Sequence, residues 1–179
     1  MLESKLPVSE PTSEISVTWQ EYHQKIETLA YKIYQSGWEF NQILCLARGG
    51  LRVGDTLSRL YKLPLAILSV SSYGGTGDRT RGAITFSPTI SMTTQKLGSR
   101  VLLVDDLVDS GTTLAQTLQW LKQHDVYEIE AIETAVIWYK ACSAIAPDFY
   151  VDYLPDSPWI HQPFEIYEHM DLSEMADDG

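Results

Sequence analysis

One stretch, residues 100–114 (RVLLVDDLVDSGTTL), constrains the fold more than any other part of the chain. It opens with the apolar run 101–104, which is short, uninterrupted and rich in β-branched residues, as is typical of a strand buried on both faces. Two adjacent acids and a loop of small residues follow, and a helical pattern begins at Leu114. A strand, a tight loop and a helix in this order predict one unit of an α/β fold with a mostly parallel sheet.

The loop at residues 109–113 (DSGTT) is predicted to bind a phosphate. Free N–H groups and the positive end of a helix dipole attract anions, and glycine allows a phosphate to come close. The stretch has neither the lysine-bearing loop of triphosphate-binding proteins nor the dinucleotide fingerprint. Asp105 and Asp106 are placed to accept hydrogen bonds from vicinal hydroxyls or to hold a divalent cation. The alternative is that the acids cap the helix while Ser110 and Thr112 form a turn.

The run VLLVDDLVDSGTT resembles the phosphoribosyl-pyrophosphate (PRPP) signature of the type I phosphoribosyltransferases. In that family the two acids bind the ribose hydroxyls and magnesium, and the small-residue loop holds the 5′-phosphate. The resemblance therefore implies a Mg²⁺ cofactor at Asp105 and Asp106. It also implies PRPP binding by these two acids and by Asp109, Ser110, Gly111, Thr112 and Thr113.

Composition limits the remaining classes of protein. A chain of 179 residues with 44% hydrophobic and 11% aromatic residues is long enough for one globular domain. Its formal charge of −11 argues against a nucleic-acid partner. No stretch reaches the length of a membrane span, and we expect a cytoplasmic protein. Cys45 and Cys142 both lie in apolar contexts, and both are predicted to be reduced core residues.

The chain divides by composition into three stretches. Residues 1–16 are polar with two prolines and are predicted to be flexible. Residues 17–170 are predicted to form a single domain, in which the aromatic and proline-rich segment at about 148–170 forms a small hood. Residues 171–179 are predicted to be a frayed acidic tail.

Local patterns predict further strands and helices before and after the central motif. Thr18 and Glu21 form a capping-box pattern at the start of a helix that ends near Gly37. Buried strands are predicted at residues 42–47 (QILCLA) and at 130–138 (EAIETAVIW).

The sequence Arg48-Gly49-Gly50 directly follows the strand at 42–47. Glycine permits a sharp turn with exposed N–H groups, and arginine adds a fixed positive charge with a bidentate fork. An ordinary strand-to-helix turn is the alternative. In the type I family a pyrophosphate-binding loop lies here, often with a cis peptide at its start, which implies PRPP contacts by Arg48 and Gly49 and a cis Ala47–Arg48 bond.

Residues 72–82 (SYGGTGDRTRG) combine glycines and arginines without an apolar period. This composition is typical of a mobile loop, either a lid over a phosphate site or simply a loop in solvent. Family members close a flexible loop on the substrate at this place, which implies a PRPP contact by Arg79.

Two later segments are candidates for the base site. Lys140 follows the strand at 130–138, at the edge where α/β sheets bind ligands, although a solvated flanking lysine is the alternative. By resemblance to purine phosphoribosyltransferases, Lys140 donates to the purine 6-oxo group. The hood resembles that of bacterial xanthine-guanine phosphoribosyltransferases. This resemblance implies that Trp159 stacks on the purine and that the backbone carbonyls of Trp159 and Ile160 contact it. It also implies that Glu165 lies near a second metal ion. His161 replaces their glutamate, which leaves the base preference open.

The resemblance implies transfer of the 5-phosphoribosyl group from PRPP to a 6-oxopurine (xanthine, guanine or hypoxanthine), with release of pyrophosphate. Asp109 is then the catalytic base that takes the proton from N7, and the enzyme is expected to be a dimer or tetramer. Two alternatives stay open: a phosphoribosyltransferase for a different base, and a non-catalytic regulator that senses PRPP or a nucleotide.

Overall fold

A mostly parallel sheet forms the centre of the molecule, and helices pack on both of its faces, as the central motif predicts. The computed structural model describes residues 14–72 and 84–173, which hold four helices and ten strands. The helices are α1 (Trp19–Ser36), α2 (Leu51–Tyr61), α3 (Thr112–Gln123) and α4 (Ile166–His169). The strands are β1 (Glu14–Ser16), β2 (Gln42–Ala47), β3 (Leu65–Ser72), β4 (Ile84–Phe86), β5 (Ser91–Met92), β6 (Arg100–Val104), β7 (Leu107–Val108), β8 (Ala131–Lys140), β9 (Phe149–Leu154) and β10 (Trp159–His161).

The sheet topology brings the ends of several parallel strands to one edge. β3, β2, β6 and β8 are neighbours in that order and run parallel, with β9 parallel to β8 beyond them. β4 and β5 pair antiparallel with β3. Because the carboxyl ends of β2, β6 and β8 lie at the same edge, the loops that follow them are brought together there.

The first helix begins and ends as its sequence predicts. Thr18 and Glu21 form the complete capping box, in which hydrogen bonds from Thr18 lower the pKa of Glu21. Gly37 ends the helix with a φ of 71°, a left-handed conformation that glycine adopts without strain.

The core lies on both faces of the sheet because successive side chains of each buried strand alternate between faces. Ile43 and Cys45 of β2 pack into the cluster that contains the inward residues of α1 and α2, whereas Leu44 and Leu46 pack into the cluster that contains those of α3. The inward helix residues are Tyr22, Ile26, Leu29, Ala30 and Ile33 of α1, Val53 and Leu57 of α2, and Leu114 and Leu121 of α3.

Two predicted boundaries are corrected by strand pairing. The flexible N-terminal segment was predicted to extend to residue 16, but Glu14–Ser16 forms β1 and pairs in parallel with β10. The hood was predicted to begin near residue 148, but Phe149–Leu154 forms β9 of the central sheet. The hood is therefore the smaller segment 155–170, and its strand β10 is held by β1.

One of the two cysteines also differs from its prediction. Cys45 is buried in the core, but Cys142 is exposed, because it lies in the turn after β8 rather than in the strand. Both are free thiols. Over residues 14–72 and 84–173, no helix has the length and apolar character needed to cross a membrane.

Candidate functional site

The loop before α3 has the geometry of an anion site. Gly111 is the N-cap of α3, with a φ of 79° and no side chain to accept hydrogen bonds from the first turn. A Cβ there would lie 2.4 Å from Oγ of Ser143, so the position requires glycine for space as well. Oγ of Ser110 accepts only a long hydrogen bond, 3.4 Å, from the N–H of Thr112. The first N–H groups of the helix are thus available to a phosphate.

Asp105 and Asp106 lie directly beside this loop, in the short gap between β6 and β7. Both strands pair with β8 in one continuous register, so the backbone stays in line with the sheet across the two acids. The N–H of Asp106 donates to Oδ1 of Asp105 over 3.0 Å. Burial and then the neighbouring charge of Asp106 raise the pKa of Asp105 well above its usual range. Two ionised carboxylates side by side are therefore unfavourable at this position unless a cation or a ligand lies beside them.

The Arg48-Gly49 loop faces the acid pair from the end of β2. The Ala47–Arg48 peptide is cis, which confirms the expectation drawn from the family resemblance. A Cβ at Gly49 would lie 2.3 Å from Oδ1 of Asp106, so the glycine permits the backbone to approach the carboxylate. The side chain of Arg48 is 88% exposed, and its guanidinium lies 3.5 Å from a carboxylate oxygen of Glu168 in α4.

Two small cavities lie on either side of the acid pair. One of about 160 Å³ is bounded by the pair and by residues 107–111, 113 and 114, and the other of about 200 Å³ is bounded by the pair, Gly49 and Thr113. A larger cavity of about 410 Å³ lies near His124, and one of about 550 Å³ lies between the Arg48-Gly49 loop and Tyr167. Volume alone does not single out a site, whereas the loop before α3, the paired acids and the glycines lie together and mark the candidate site.

The three residues predicted to act on a base converge at the other end of the same loop. The ammonium of Lys140 lies 3.4 Å from Oδ1 of Asp109 and 5.8 Å from the ring centroid of Trp159. Lys140 is buried, whereas Trp159 is 53% exposed. Lys140 is the last residue of β8, and Trp159 is the first of β10, so the meeting of sheet and hood brings them together. An exposed aromatic face beside a buried cation suits a planar polar ring.

The remaining hood residues point in different directions. The side chain of Ile160 is buried in the core, so its contribution to a base site is limited to its backbone. Nε2 of His161 lies 3.1 Å from a carboxylate oxygen of Glu14, which ties the hood to β1. Nδ1 of His161 lies 4.0 Å from the carboxylate of Glu165.

The acid pair is the part of the site that fits a metal ion. Mg²⁺ commonly uses one or two carboxylates together with oxygens of a phosphate substrate, and a cation would offset both the burial and the repulsion from Asp106 that raise the pKa of Asp105. Among the described residues, no three or more histidine, cysteine, aspartate and glutamate side chains are grouped to hold a metal. The structure therefore does not bring Glu165 together with the pair as a three-ligand set. Arg79 lies outside the described residues.

Sequence reasoning missed two residues at this site. Nε2 of Gln162 donates a 2.5 Å hydrogen bond to Oδ2 of Asp106, and Sγ of Cys142 lies 3.4 Å from Oδ1 of Asp109. The signal for Gln162 was an amide between the apolar Ile160 and Pro163. Local sequence offered no comparable signal for Cys142, because its neighbour Asp109 is distant along the chain.

Comparisons with known proteins agree with this geometry. The model of the phosphoribosyl transferase domain matches residues 18–169. A xanthine-guanine phosphoribosyltransferase of Idiomarina loihiensis is 26% identical over 157 residues, which cover 87% of this chain and 89% of the relative. One from Gluconobacter oxydans is 28% identical and covers 84% and 83%. The crystal structure of a purine phosphoribosyltransferase from Pyrococcus horikoshii Ot3 matches with a TM-score of 0.68 at 27% identity, over 84% of this chain and 93% of that chain.

The family match spans most of the chain, and the residues that carry the resemblance meet at one edge of the sheet. The protein is therefore a phosphoribosyltransferase, a member of the phosphoribosyl transferase domain family.

Proposed function

We propose that this enzyme transfers the 5-phosphoribosyl group from PRPP to N9 of a 6-oxopurine (xanthine, guanine or hypoxanthine) and releases pyrophosphate, a reaction of purine salvage. The observation that supports this most strongly is the convergence of Lys140, Asp109 and Trp159 beside the phosphate loop. The curated relatives above are xanthine-guanine phosphoribosyltransferases, which agrees with this substrate class.

The sugar phosphate occupies the loop and the acid pair. The 5′-phosphate accepts hydrogen bonds from the N–H groups of residues 110–113 at the start of α3. Asp105 and Asp106 accept hydrogen bonds from the two ribose hydroxyls and hold Mg²⁺. Magnesium bound there supplies positive charge against the oxygens of the departing pyrophosphate.

The pyrophosphate lies against the loop that follows β2. Gly49 leaves room for it beside Asp106, and the backbone of this loop offers N–H donors. Arg48 exchanges its exposed partner Glu168 for the more highly charged pyrophosphate, and Arg79 adds a second guanidinium. These cations stabilise the negative charge that develops on the leaving group.

The base stacks on the exposed face of Trp159, and the edge of the purine's six-membered ring faces Lys140. An ammonium has three N–H donors and no acceptor. Lys140 therefore donates to a 6-oxo group while it keeps its contact with Asp109, whereas the 6-amino group of adenine offers it no acceptor. The backbone carbonyls of Trp159 and Ile160 accept from donors on the 2-substituent.

The transfer breaks the bond between C1′ of the ribose and a pyrophosphate oxygen, and forms the bond between C1′ and N9. The electron pair of the broken bond leaves with pyrophosphate. The proton on N7 passes to the carboxylate of Asp109, so that the purine product is neutral. Asp109 is the first residue of the loop and its carboxylate lies beside the ammonium of Lys140, a position that suits this role.

His161 supports a second candidate, a phosphoribosyltransferase for a different base. Its imidazole contacts Glu14 of β1, and the hood has no glutamate at the position where the enzymes it resembles carry one, so the base meets a different surface there. A regulator that senses PRPP or a nucleotide would bind its ligand at the same loop but would not catalyse the transfer.

The experiment that tests the proposal is an assay of pyrophosphate release from PRPP with a panel of free bases. We expect turnover with at least one of xanthine, guanine and hypoxanthine and none with adenine or uracil. The variant Asp125→Asn, an exposed acid near the far end of α3, serves as a matched control for Asp109→Asn. Turnover with another base alone would favour the second candidate, and binding of PRPP without any turnover would favour the regulator.

A further inference from the structure

Gln162 connects the hood to the acid pair. It follows β10 directly and is only 8% exposed. Its Nε2 donates a hydrogen bond of 2.5 Å to Oδ2 of Asp106, which lies in another layer of the fold. A hydrogen bond to an ionised carboxylate is stronger than one between neutral groups and directs the acceptor more strictly.

The two oxygens of Asp106 have different neighbours. Oδ2 accepts from Gln162, and Oδ1 lies so near the backbone of Gly49 that a Cβ there would be 2.3 Å away. The carboxylate thus lies between the hood amide and the loop after β2. The hydrogen bond from Gln162 fixes one oxygen, and the close approach of the loop at Gly49 leaves little room on the side of the other.

The side-chain carbonyl oxygen of Gln162 indicates that this residue does not serve to stabilise the fold. Oε1 of Gln162 is buried without a hydrogen-bond partner among the described residues. The amide cannot be reversed, because that would place its oxygen against the carboxylate oxygen of Asp106. A buried acceptor left without a partner is unfavourable for folding, so an apolar side chain of similar size would lose little stability here.

Gln42 is a matched counterexample at the opposite end of the sheet. It is also buried, and its Nε2 donates to the carbonyls of Ile43 and Pro64 over 3.0 and 2.8 Å. Its Oε1 accepts from the N–H of Gly98 over 3.3 Å. Both the nitrogen and the oxygen of this amide therefore have hydrogen-bond partners. Gln42 is the first residue of β2, whereas the candidate site lies at the other end of that strand.

We propose that Gln162 is a positioning residue, which holds the carboxylate of Asp106 in the orientation that receives the ribose hydroxyls and the metal. This inference rests on the proposed function, because it assigns Gln162 to the PRPP half of that site. It also gives the hood two tasks: Trp159 holds the base, and Gln162, three residues later, orients the acid that holds the sugar.

The test compares Gln162→Met with Gln42→Met in the full chain. Calorimetric titration with PRPP and Mg²⁺, without a base, measures affinity independently of turnover. We expect Gln162→Met to weaken this binding by about tenfold or more, the usual effect of losing a hydrogen bond to a charged group. The KM for PRPP should rise similarly, while the KM for the base changes less than about threefold.

The unfolding temperature without ligand separates positioning from folding. Gln42→Met should lower it clearly and leave the affinity for PRPP unchanged, whereas Gln162→Met should lower it less while weakening the binding. Gln162→Glu, which replaces the donor by a carboxylate facing Asp106, should weaken the binding at least as much as Gln162→Met.

The remaining outcomes distinguish a failure of the assignment of Gln162 from a failure of the proposed function. If wild type binds PRPP and Gln162→Met binds it equally well, the assignment of Gln162 is overturned and the proposed function stands. If wild type binds PRPP but turns over no base, the proposed function fails, and weaker binding by Gln162→Met still supports the assignment. If wild type does not bind PRPP, both are wrong.

Discussion

Lys140 and Asp109 form an ion pair of unequal exposure: their charged groups lie 3.4 Å apart, and the lysine side chain is 6% exposed whereas that of the aspartate is 58% exposed. The pair joins the end of β8 to the loop before α3. A buried cation held by an exposed acid has N–H donors to spare for a ligand, whereas the acid is accessible to one.

We expect Lys140→Met to raise the KM for the purine by about tenfold or more, because the variant loses a charged donor to the 6-oxo group. The KM for PRPP should change less than about threefold. Steady-state kinetics with both substrates varied would measure the two KM values separately. Lys122→Met, on the exposed face of α3, is the control. A larger effect on PRPP than on the base would assign Lys140 to the sugar phosphate instead.

Asp109→Asn should lower kcat by about 10²- to 10⁴-fold, the usual contribution of a positioned general base. Binding of PRPP with Mg²⁺ should persist, because in the proposed site the 5′-phosphate is held by backbone N–H groups at the start of α3 rather than by this carboxylate. Single-turnover kinetics and calorimetry would measure the two effects. Unchanged turnover would remove the role of base from Asp109.

Asp105→Asn should make the ligand-free protein more resistant to unfolding at neutral pH. The pKa of Asp105 is raised in the folded protein, so the folded state binds more protons than the unfolded state, and stability falls as pH rises from about 4 through the raised pKa. The variant lacks this group, so its unfolding temperature should decrease less between about pH 4 and pH 8. Thermal unfolding at several pH values would measure this.

Loss of PRPP binding should accompany the greater stability of Asp105→Asn, because the carboxylate that is unfavourable for folding is one that we propose to receive the sugar and the metal. A variant that is less stable than wild type at neutral pH would contradict the conclusion that burial and the charge of Asp106 make an ionised Asp105 unfavourable.

Gly49→Ala should weaken PRPP binding, because the new Cβ would lie 2.3 Å from Oδ1 of Asp106, whose other oxygen is held by Gln162. Kinetics should show a raised KM for PRPP. Gly37→Ala is the control: its φ of 71° is unfavourable for alanine by about 1 kcal/mol, but among the described residues no atom beyond its chain neighbours lies within 4 Å of the added Cβ. The control should lower the unfolding temperature and leave both KM values unchanged.

The two cysteines should react differently with iodoacetamide. Burial raises the pKa of Cys45 to about 12, so this thiol should stay unmodified in the folded protein. Cys142 is exposed, and its Sγ lies 3.4 Å from Oδ1 of Asp109. Mass spectrometry should find one modified thiol, formed more slowly when a purine nucleoside monophosphate is bound. Equal rates with and without the nucleotide would place Cys142 outside the base site.

Local chemistry made the centre of the molecule predictable. The strand, loop and helix of residues 100–123 are contiguous, and each has its own signal: a β-branched apolar run, paired acids, a glycine with positive φ and an amphipathic helix. The capping box at Thr18 is equally local, since its donors and acceptors lie within three residues.

The hood was less predictable because its partners are distant along the chain. Phe149–Leu154 has the composition of a satellite segment, and only pairing with β8 makes it part of the central sheet. Glu14–Ser16 is too short and polar to predict a strand by itself, and it forms one because β10 lies beside it.

The sequence alone determined the class of fold and the positions of the loop before α3 and of the acid pair, because strand burial, glycine conformation and helix termini depend on neighbouring residues. Tertiary structure decided that Lys140 meets Asp109, that Gln162 holds Asp106 and that Cys142 is exposed beside the site. These contacts join residues that are distant along the chain. Their geometry follows from how the strands, the hood and the loops pack together, which no local pattern of residues encodes.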